Sequence, residues 1–319
     1  MADDLFWMAR NVERAISVSR LIDVTRHLEL DAGDADFWAP LVGEGPELTV
    51  DVRYWLTSEE VNPDSLVSCV RRARSLARGV RESISTEMWE ELNQLHFAIA
   101  RPTNMRERRG DLGGFHRLVR ERLQHVQGLA EATLAHDEPW QFITLATYLE
   151  RAHDVARLLR RQVHLLERRE GSDTDMVKWL AVLRSCGSAE AYARYYSLSV
   201  EPARIIEFLL LNPVFPQSVR FSLNVAGERL TEIAALREGA GNDPGPAPRT
   251  LGRVRGIVDN AAVDEILDIG LEEFLDTVQS SIAAASDQLT ATYLRDQPQA
   301  ASLVGVARAT VLMAEQQQQ

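Results

Sequence analysis

Apolar residues recur every three or four positions along most of the chain, which is the spacing of one face of an α-helix. Alternation of period two, which would indicate strands, is scarce. The clearest apolar series runs through Phe142, Leu145, Leu149, Ala152, Ala156, Leu159 and Val163. The pattern predicts an all-α protein, folded as a helical bundle.

The same series occurs a second time, 137 residues earlier in the chain. Its members are Leu5, Met8, Val12, Ala15, Ser19, Ile22 and Arg26, so the series repeats except at its last position. Both copies read E-R-A, four residues, then R-L. Each copy also has two small residues one turn apart, which allow another helix to approach closely. We therefore predict an internally duplicated helix motif.

A third apolar series predicts a helix between the two copies. Asn62 and Pro63 are residue types found at helix starts, and the pattern continues to about Ile99, with a kink near 83–85. Arginines lie one residue beyond this series along one edge of the helix, at Arg71, Arg74, Arg78 and Arg81.

The loop composition predicts one domain rather than two. Residues 1–238 form the bundle core with its internal repeat, and 251–314 form carboxy-terminal helices packed on the same domain. Between them, residues 239–250 predict a flexible Gly/Pro loop, because Pro-Gly-Pro-Ala-Pro is expected not to be helical. The terminal 315–319 is expected to be disordered.

Charge and composition exclude several classes of protein. A net charge of −12 disfavours a nucleic-acid-binding surface. The longest apolar runs fall far short of the roughly 20 residues that a membrane span needs. No basic and apolar leader precedes the first helix, so we expect a soluble protein in the cytoplasm. Cys69 and Cys186 have no close spacing, which favours reduced thiols over a disulfide.

Charged residues beside the repeated series carry the candidate chemistry. Glu13 and Arg20 lie seven residues apart, about 10 Å along a helix, and Glu150 and Arg157 repeat this spacing. That gap is too long for a direct pair within one helix. If the copies pack antiparallel about a pseudo-twofold axis, Glu13 meets Arg157 and Glu150 meets Arg20. The alternative is that these charges are solvated on helix faces.

Five ordered segments resemble one known family over most of the chain. They are LFWMARNVERAISVSRLIDV, ARSLARGVRESISTEMWEELN, YLERAHDVARLL, LRSCGSAEAY and EFLLLNPVFPQSVRFSL. Together they resemble the alpha-E domain family, a bacterial all-helical family. The resemblance implies a neighbouring or fused circularly permuted ATP-grasp protein, with transglutaminase-like peptidases as further neighbours. It therefore implies an accessory component of a peptide ligation, tagging or processing system.

The chain departs from the usual family pattern at a few polar positions. Asn11 stands where an aromatic residue is more common, and Ser75-Leu76 stand where a Glu-Asn pair is usual. Ala146-Thr147 replace the usual Gly-Arg before the second E-R-A. If these positions contact a ligand, this protein binds it differently.

We expect the Glu and Arg side chains to line a cleft that binds a peptide or the partner ligase. The candidates are Glu13, Arg14, Arg20, Arg74, Arg78, Arg81, Glu82, Glu87, Glu90, Glu150, Arg151, Arg157, Arg184 and Arg220. Two alternatives stay open. The cluster is an active site for a peptide or amino-acid substrate, or it is a closed ion network in a scaffold. Convergence on an open pocket, with more charged groups than pairing requires, favours binding.

No cofactor or metal is expected from the sequence. Glu150 and His153 have the spacing of di-iron carboxylate bundles, but the first copy has Ile16 where a second His is needed. The glycines of GDLGGF are not followed by the Lys-Ser/Thr of a phosphate-binding loop. ATP is therefore expected to bind the partner. The sequence does not indicate an oligomeric state.

Overall fold

The computed structural model describes residues 1–32, 52–100, 112–166, 173–197, 200–238 and 245–294. Within these ranges every regular element is helical, so the all-α prediction is confirmed. The helices are α1 (Ala2–Ala32), α2 (Val52–Thr57), α3 (Leu66–Gly79), α4 (Thr86–Ala100), α5 (Leu112–Thr133), α6 (Glu138–Leu166), α7 (Asp173–Ser185), α8 (Ala189–Tyr196), α9 (Pro202–Leu211), α10 (Val219–Glu238), α11 (Pro246–Asn260), α12 (Val263–Ile269) and α13 (Leu271–Leu289). A π-helical turn, Thr290–Leu294, follows α13.

The two copies of the repeated motif are α1 and α6, and they pack against each other at the centre of the bundle. Helices α3 and α5 cover α1, while α10 and α13 cover α6. The small residues Ala15, Ser19, Ala152 and Ala156 are fully buried, as close helix approach requires. The repeated apolar series therefore forms the central contact of the fold.

Helices α1 and α6 run in the same direction, which corrects the antiparallel arrangement expected above. Helix α5 is antiparallel to α1, because Gln127 contacts Glu13 while Arg120 contacts Asp23. A short turn at 134–137 then reverses the chain into α6. Two reversals restore the original direction, so equivalent residues of the copies lie at equal heights.

The carboxy-terminal helices belong to the same core. One continuous cluster of buried apolar residues extends from Leu5 in α1 to Leu289 at the end of α13. Helix α13 packs on α6, and α11 packs on α10 and α13. The described carboxy-terminal helices therefore share one apolar core with the duplicated helices. The remainder of the predicted 251–314 segment and the tail 315–319 lie outside the described residues.

Two expected element boundaries were wrong. The helix expected from Asn62 begins at Leu66, where Ser65 caps it by accepting a hydrogen bond from the Ser68 amide, and the helix stops between Gly79 and Thr86. The loop expected over 239–250 gives way to a helix at Pro246. Proline is tolerated there because the first amides of a helix have no intrahelical acceptor. Residues 239–244 lie outside the described part.

Among the helices that the structure describes, none has the length and hydrophobicity needed to cross a bilayer.

Candidate functional site

Glu150 is fully buried in α6 and its two carboxylate oxygens bind two arginines of α1. Arg10 Nε lies 2.5 Å from Oε2, and Arg14 Nε lies 2.6 Å from Oε1. Arg14 also donates to Asp64 Oδ1 at 2.6 Å, and Arg10 donates to the Ser286 hydroxyl at 3.3 Å. Burial disfavours the charged form of Arg14, but Glu150 outweighs this and the pKa of Arg14 is raised.

Glu13 in α1 makes the corresponding contacts to α6 and α5. Arg151 donates to it through two nitrogens, at 2.8 Å and 3.0 Å, and Gln127 Nε2 donates at 2.5 Å. The Glu13 side chain is only 2% exposed. Burial opposes the charge on Arg151, yet Glu13 raises the pKa of this arginine.

These contacts include two reciprocal Glu–Arg ion pairs between the two copies. Glu13 binds Arg151, and Glu150 binds Arg14, so each glutamate binds the arginine that follows its counterpart in the other copy. The expected pairs Glu13–Arg157 and Glu150–Arg20 do not form. Those pairs require antiparallel copies. In parallel copies Glu13 and Glu150 lie at the same height along the two helices, so each is next to the arginine that follows the other.

The Glu–Arg network is closed and structural at its centre. Both glutamate side chains are at most 2% exposed, and every oxygen of each has a donor within 2.8 Å. An unpaired charge at such a site costs several kcal/mol, so the charged partners have to be present together. These residues hold α1 and α6 in register and leave little room for a ligand.

A small pocket opens one to two turns further along the same two helices, between equivalent residues of the two copies; we call it the axial pocket. Its walls are Ser17, Val18, Arg20 and Leu21 from α1 and Asp154, Val155, Arg157 and Leu158 from α6. Each α6 residue is 137 positions after its α1 counterpart. Arg151, Arg161, Ser185, Cys186 and Gln217 complete the lining. The pocket is therefore a product of the duplication.

The duplication is broken at one acidic position, and this leaves one arginine without a partner. Arg157 donates to Asp154 at 2.8 Å, three residues earlier in α6. The residue equivalent to Asp154 in α1 is Ser17, which offers no charge. Arg20 accordingly makes no hydrogen bond or ion pair with any residue in the described ranges.

The turn between α7 and α8 positions Arg20. Gly187 has φ +61°, and a Cβ there would lie 3.0 Å from the Arg20 Cζ. The absence of a side chain lets the guanidinium lie flat against this turn. Gly187 therefore follows the end of α7 and packs against the Arg20 guanidinium at the edge of the pocket.

The axial pocket carries an excess of positive charge. Four arginines line it, Arg20, Arg151, Arg157 and Arg161. Arg151 is paired with Glu13 and Arg157 with Asp154, so the charge of Arg20 is the one that no described residue neutralises by direct contact. Burial lowers the pKa of Arg20, and burial together with Arg157 lowers the pKa of Arg161 to about 10. Loss of solvent around clustered guanidinium groups favours an anion in the pocket.

Asp154 remains ionised in this environment. Burial alone would raise its pKa, but Arg157 and the neighbouring His153 hold the pKa at about 2. Asp154 Oδ1 accepts from Arg157, whereas the buried Oδ2 has no hydrogen-bond partner among the described residues. Asp154 Oδ2 is enclosed by protein, so the unpaired group that the pocket presents is the guanidinium of Arg20.

Neither cysteine is a reactive thiol. Cys186 lines the axial pocket, but burial raises its pKa to about 12. Burial likewise raises the pKa of Cys69 to about 12. Both thiols are therefore protonated near neutral pH, which argues against nucleophilic chemistry at either.

Glu150, His153 and Asp154 form the one cluster of potential metal ligands in the described part of the chain, with ligand atoms within 4.8 Å of one another. Both oxygens of Glu150 are occupied by Arg10 and Arg14. Two guanidinium groups at that distance repel a cation. The residues present do not suit a metal ion.

Several sequence-predicted candidates lie away from the pocket. Arg78, Arg81, Glu82, Glu87, Glu90 and Arg184 are exposed on the surface. Arg74 donates to Asn93 Oδ1 at 3.1 Å, and Arg220 pairs with Asp259 at 2.8 Å. Of the fourteen candidates, the structure brings Arg20, Arg151 and Arg157 together at the pocket, with Glu13, Arg14 and Glu150 in the adjoining network.

Sequence reasoning missed Arg10, Gln127, Asp154 and Arg161. For Asp154 a signal existed, because aligning the two copies at an offset of 137 shows a carboxylate opposite Ser17. Arg10 aligns with Thr147 in the same way, and Gln127 from α5 occupies the side of Glu13 that a second arginine would fill. No sequence signal relates α5 to this position.

A wider depression lies between α5, α6 and α10, with a volume of about 540 Å³. Trp140, Tyr148 and Thr147 contribute to its walls, and Arg151 reaches it as well as the axial pocket. The Glu13–Arg151 pair therefore adjoins both spaces.

A bundle built on two parallel copies of one helix, locked by reciprocal buried Glu–Arg pairs, defines the class of this protein. The family model that matches residues 1–294 is Alpha-E, described as a predicted alpha-helical domain with a conserved ER motif. The chain belongs to this family. In this chain, the two Glu-Arg dipeptides, Glu13-Arg14 and Glu150-Arg151, form the central ion pairs between α1 and α6.

The curated relatives are similar over most of this chain but are much longer. Proteins named as uncharacterized from Mycobacterium bovis and Mycobacterium tuberculosis are each 23% identical over 334 residues. The matched region covers 91% of this chain and 36% of each relative, so the chain spans about a third of their length. No solved structure matches significantly.

Proposed function

We propose that this chain is a binding protein whose axial pocket holds an anionic group, and that it serves as an accessory component of an ATP-grasp-linked peptide ligation, tagging or processing system. The observation that carries the proposal is Arg20. Its guanidinium faces a pocket lined by four arginines and one carboxylate, and no described residue pairs with it.

The ionisable groups of the pocket support binding over catalysis. A general acid or base works best with a pKa near the operating pH. Asp154 has a pKa of about 2 and Cys186 of about 12, so neither exchanges a proton readily near neutrality. The arginines supply fixed positive charge, which suits recognition of a carboxylate or phosphate.

The proposed partner is a circularly permuted ATP-grasp protein, with a transglutaminase-like peptidase as a further candidate, in the cytoplasm. This part of the proposal is supported by membership of the Alpha-E family and by the five segments that resemble it. ATP would bind the partner, and this chain would present or receive a group that carries a carboxylate.

Anion binding can be tested directly with sodium acetate and inorganic phosphate, followed by NMR chemical shifts of pocket residues at constant ionic strength. We expect saturable shifts for at least one anion and at least a tenfold weaker affinity for Arg20→Met. Arg78→Met is the matched control, because Arg78 is exposed on α3 outside the pocket. Equal affinities for both variants would overturn the proposed site.

The partnership is tested by co-purification with a circularly permuted ATP-grasp protein and by an ATP-dependent peptide-modification assay. We expect product formation to fall when this chain is omitted and when Arg20→Met replaces it, while Arg78→Met supports normal formation. Unchanged product without this chain would contradict an accessory role.

A further inference from the structure

We propose that the axial pocket binds the carboxyl-terminal residue of a peptide, with the terminal carboxylate held by Arg20. This inference rests on the proposed function, because it specifies which anion enters the pocket and what is attached to that anion. It is carried by the charge of Arg20, by the small size of the enclosed space, and by the amide and apolar groups at the mouth.

The charges of the pocket select a ligand with one negative charge. Arg151 is paired with Glu13 and Arg157 with Asp154, while Arg20 has no such partner in the described ranges. One guanidinium fork matches the two oxygens of one carboxylate. A phosphate monoester carries a charge of about −1.5 to −2 near neutral pH, which exceeds the single charge that Arg20 offers.

The enclosed part of the pocket has the size of a carboxylate. Its volume is about 40 Å³, within about 510 Å³ of empty space that includes the mouth. A water-sized group needs roughly 10–15 Å³, so the enclosed part holds about three heavy atoms. A carboxylate has three heavy atoms, whereas a phosphate group has five. The remainder of the ligand therefore lies in the mouth.

A free amino acid does not suit this pocket, because its ammonium group finds no acceptor. Among the described residues that line the pocket, Asp154 is the one carboxylate. Its Oδ1 accepts from Arg157, and its Oδ2 is enclosed by protein. The arginines in the wall repel a cation. Acylation of the α-nitrogen removes the positive charge, and this is the state of the last residue of a peptide.

Gln217 provides a partner for the acylated nitrogen. It is half-buried in the turn between α9 and α10, and its side chain makes no hydrogen bond with the described residues. Arg151 donates to the carbonyl oxygen of the neighbouring Pro216 at 3.4 Å, which connects this turn to the pocket wall. A carboxamide both donates and accepts, so it matches the N–H and C=O groups of a peptide bond.

Two equivalent leucines give the mouth an apolar border. Leu21 and Leu158 are half-buried and are 137 positions apart, so they occupy the same place in the two copies. An apolar side chain on the terminal residue of the ligand would lose contact with water against them. We therefore expect a preference for a peptide that ends in a residue such as leucine.

A series of ligands tests the proposal on the unmodified protein. We would titrate Gly-Gly-L-leucine, its carboxyl-terminal amide, free L-leucine and 4-methylpentanoate, which keeps the carboxylate and the alkyl chain without the peptide bond. Binding is followed by NMR shifts of pocket residues at neutral pH and constant ionic strength. We expect Gly-Gly-L-leucine to bind at least about tenfold more tightly than each of the other three.

Each outcome separates this inference from the proposed function. Equal binding of the tripeptide and its amide, or tighter binding of L-leucine, would overturn the peptide assignment, while saturable acetate binding would leave the anion site intact. Tighter binding of phosphate than of acetate would do the same. N-acetyl-L-leucine that binds at least tenfold more tightly than the tripeptide would assign the pocket to a free N-acylated amino acid. If no anion binds, both proposals fail.

Two variants assign the contacts to side chains. Arg20→Met should abolish the binding of Gly-Gly-L-leucine and of 4-methylpentanoate alike, because both need the guanidinium. Gln217→Leu should remove the preference for the tripeptide over 4-methylpentanoate, because the carboxamide is lost. An unchanged preference in Gln217→Leu would contradict the role of Gln217 as the amide partner. Circular dichroism of each variant confirms that it is folded.

Discussion

Two buried glutamates show how single residues determine the centre of this bundle. Glu13 and Glu150 are withdrawn from water, and the loss of hydration is offset by two or more charged or polar donors on each. Removing one partner leaves the others buried and uncompensated. We therefore expect a neutral substitution at either glutamate to destabilise the fold.

Replacing Glu150 with Gln should destabilise the fold by about 3–5 kcal/mol, because Arg10 and Arg14 would keep their charges without the carboxylate between them. Urea denaturation of the purified variant measures this. The matched control is Glu87→Gln, an exposed change expected to stay within about 0.5 kcal/mol. Equal midpoints for the two variants would show that the central bridge is not stabilising.

Asp154 should make stability depend on pH in acid. Its pKa is about 2 in the folded chain against an ordinary value of 3.8, so the unfolded chain binds the proton first. The stabilisation, about 2 kcal/mol, is complete above about pH 4 and is lost as the pH falls toward 2. Between pH 5 and pH 3 the free energy of unfolding should fall by about 1 kcal/mol more in the native chain than in Asp154→Asn. If the free energy of unfolding falls equally with pH in the two proteins, the low pKa of Asp154 is contradicted.

At the scale of elements, the backbone conformation of the α7–α8 turn sets the position of Arg20 at the pocket. Helix α7 ends at Ser185, and Gly187 then takes a left-handed conformation that other residues adopt at a cost. The same glycine provides the flat surface beside Arg20. One residue thus both reverses the chain and sets the position of the proposed ligand-binding arginine.

Gly187→Ala should therefore lower stability by at least about 1 kcal/mol and weaken anion binding, because the added Cβ meets the Arg20 guanidinium at 3.0 Å. Gly252→Ala in α11 is the control, since nothing lies within 4 Å of its Cβ position. That change should stabilise the helix by about 0.5–1 kcal/mol. Thermal unfolding and acetate titration of both variants test this pair of expectations.

At the scale of the whole molecule, the carboxy-terminal helices complete the core. Helix α13 packs on α6 and α11, and it buries Phe274, Leu275, Val278 and Ile282. Ser286 of the same helix accepts a hydrogen bond from Arg10, next to the Glu150 bridge. Residues 246–294 therefore contribute to the same core as the duplicated helices.

A chain truncated after Glu238 should lose cooperative unfolding, because the α6 surface that α13 covers would be exposed. We expect retained helical far-ultraviolet circular dichroism with reduced near-ultraviolet signal and binding of a hydrophobic dye. The full chain, measured in parallel, should show one sharp transition. A sharp transition in the truncated chain would identify residues 1–238 as an independent domain.

The sequence by itself determined the helical class, the duplication and most of the core. These follow from local spacing, since the apolar series of α1 and α6 are buried as their period predicts. The small residues at Ala15, Ser19, Ala152 and Ala156 also identified where helices approach. The sequence did not predict the helix start at Pro246. Proline breaks a helix when it lies in the interior, but it is tolerated in the first turn, where Pro246 lies.

Only the tertiary structure decided which charges pair and where the pocket lies. Residue spacing gives the position of Glu13 and Arg20 on one helix but not the direction of the helix beside it. Parallel packing, produced by the two reversals through α5, places Glu13 opposite Arg151 and Glu150 opposite Arg14. It also brings Ser17 level with Asp154, which leaves Arg20 available for a ligand. Charge pairing depends on distances across helices, and those distances are set by the whole fold.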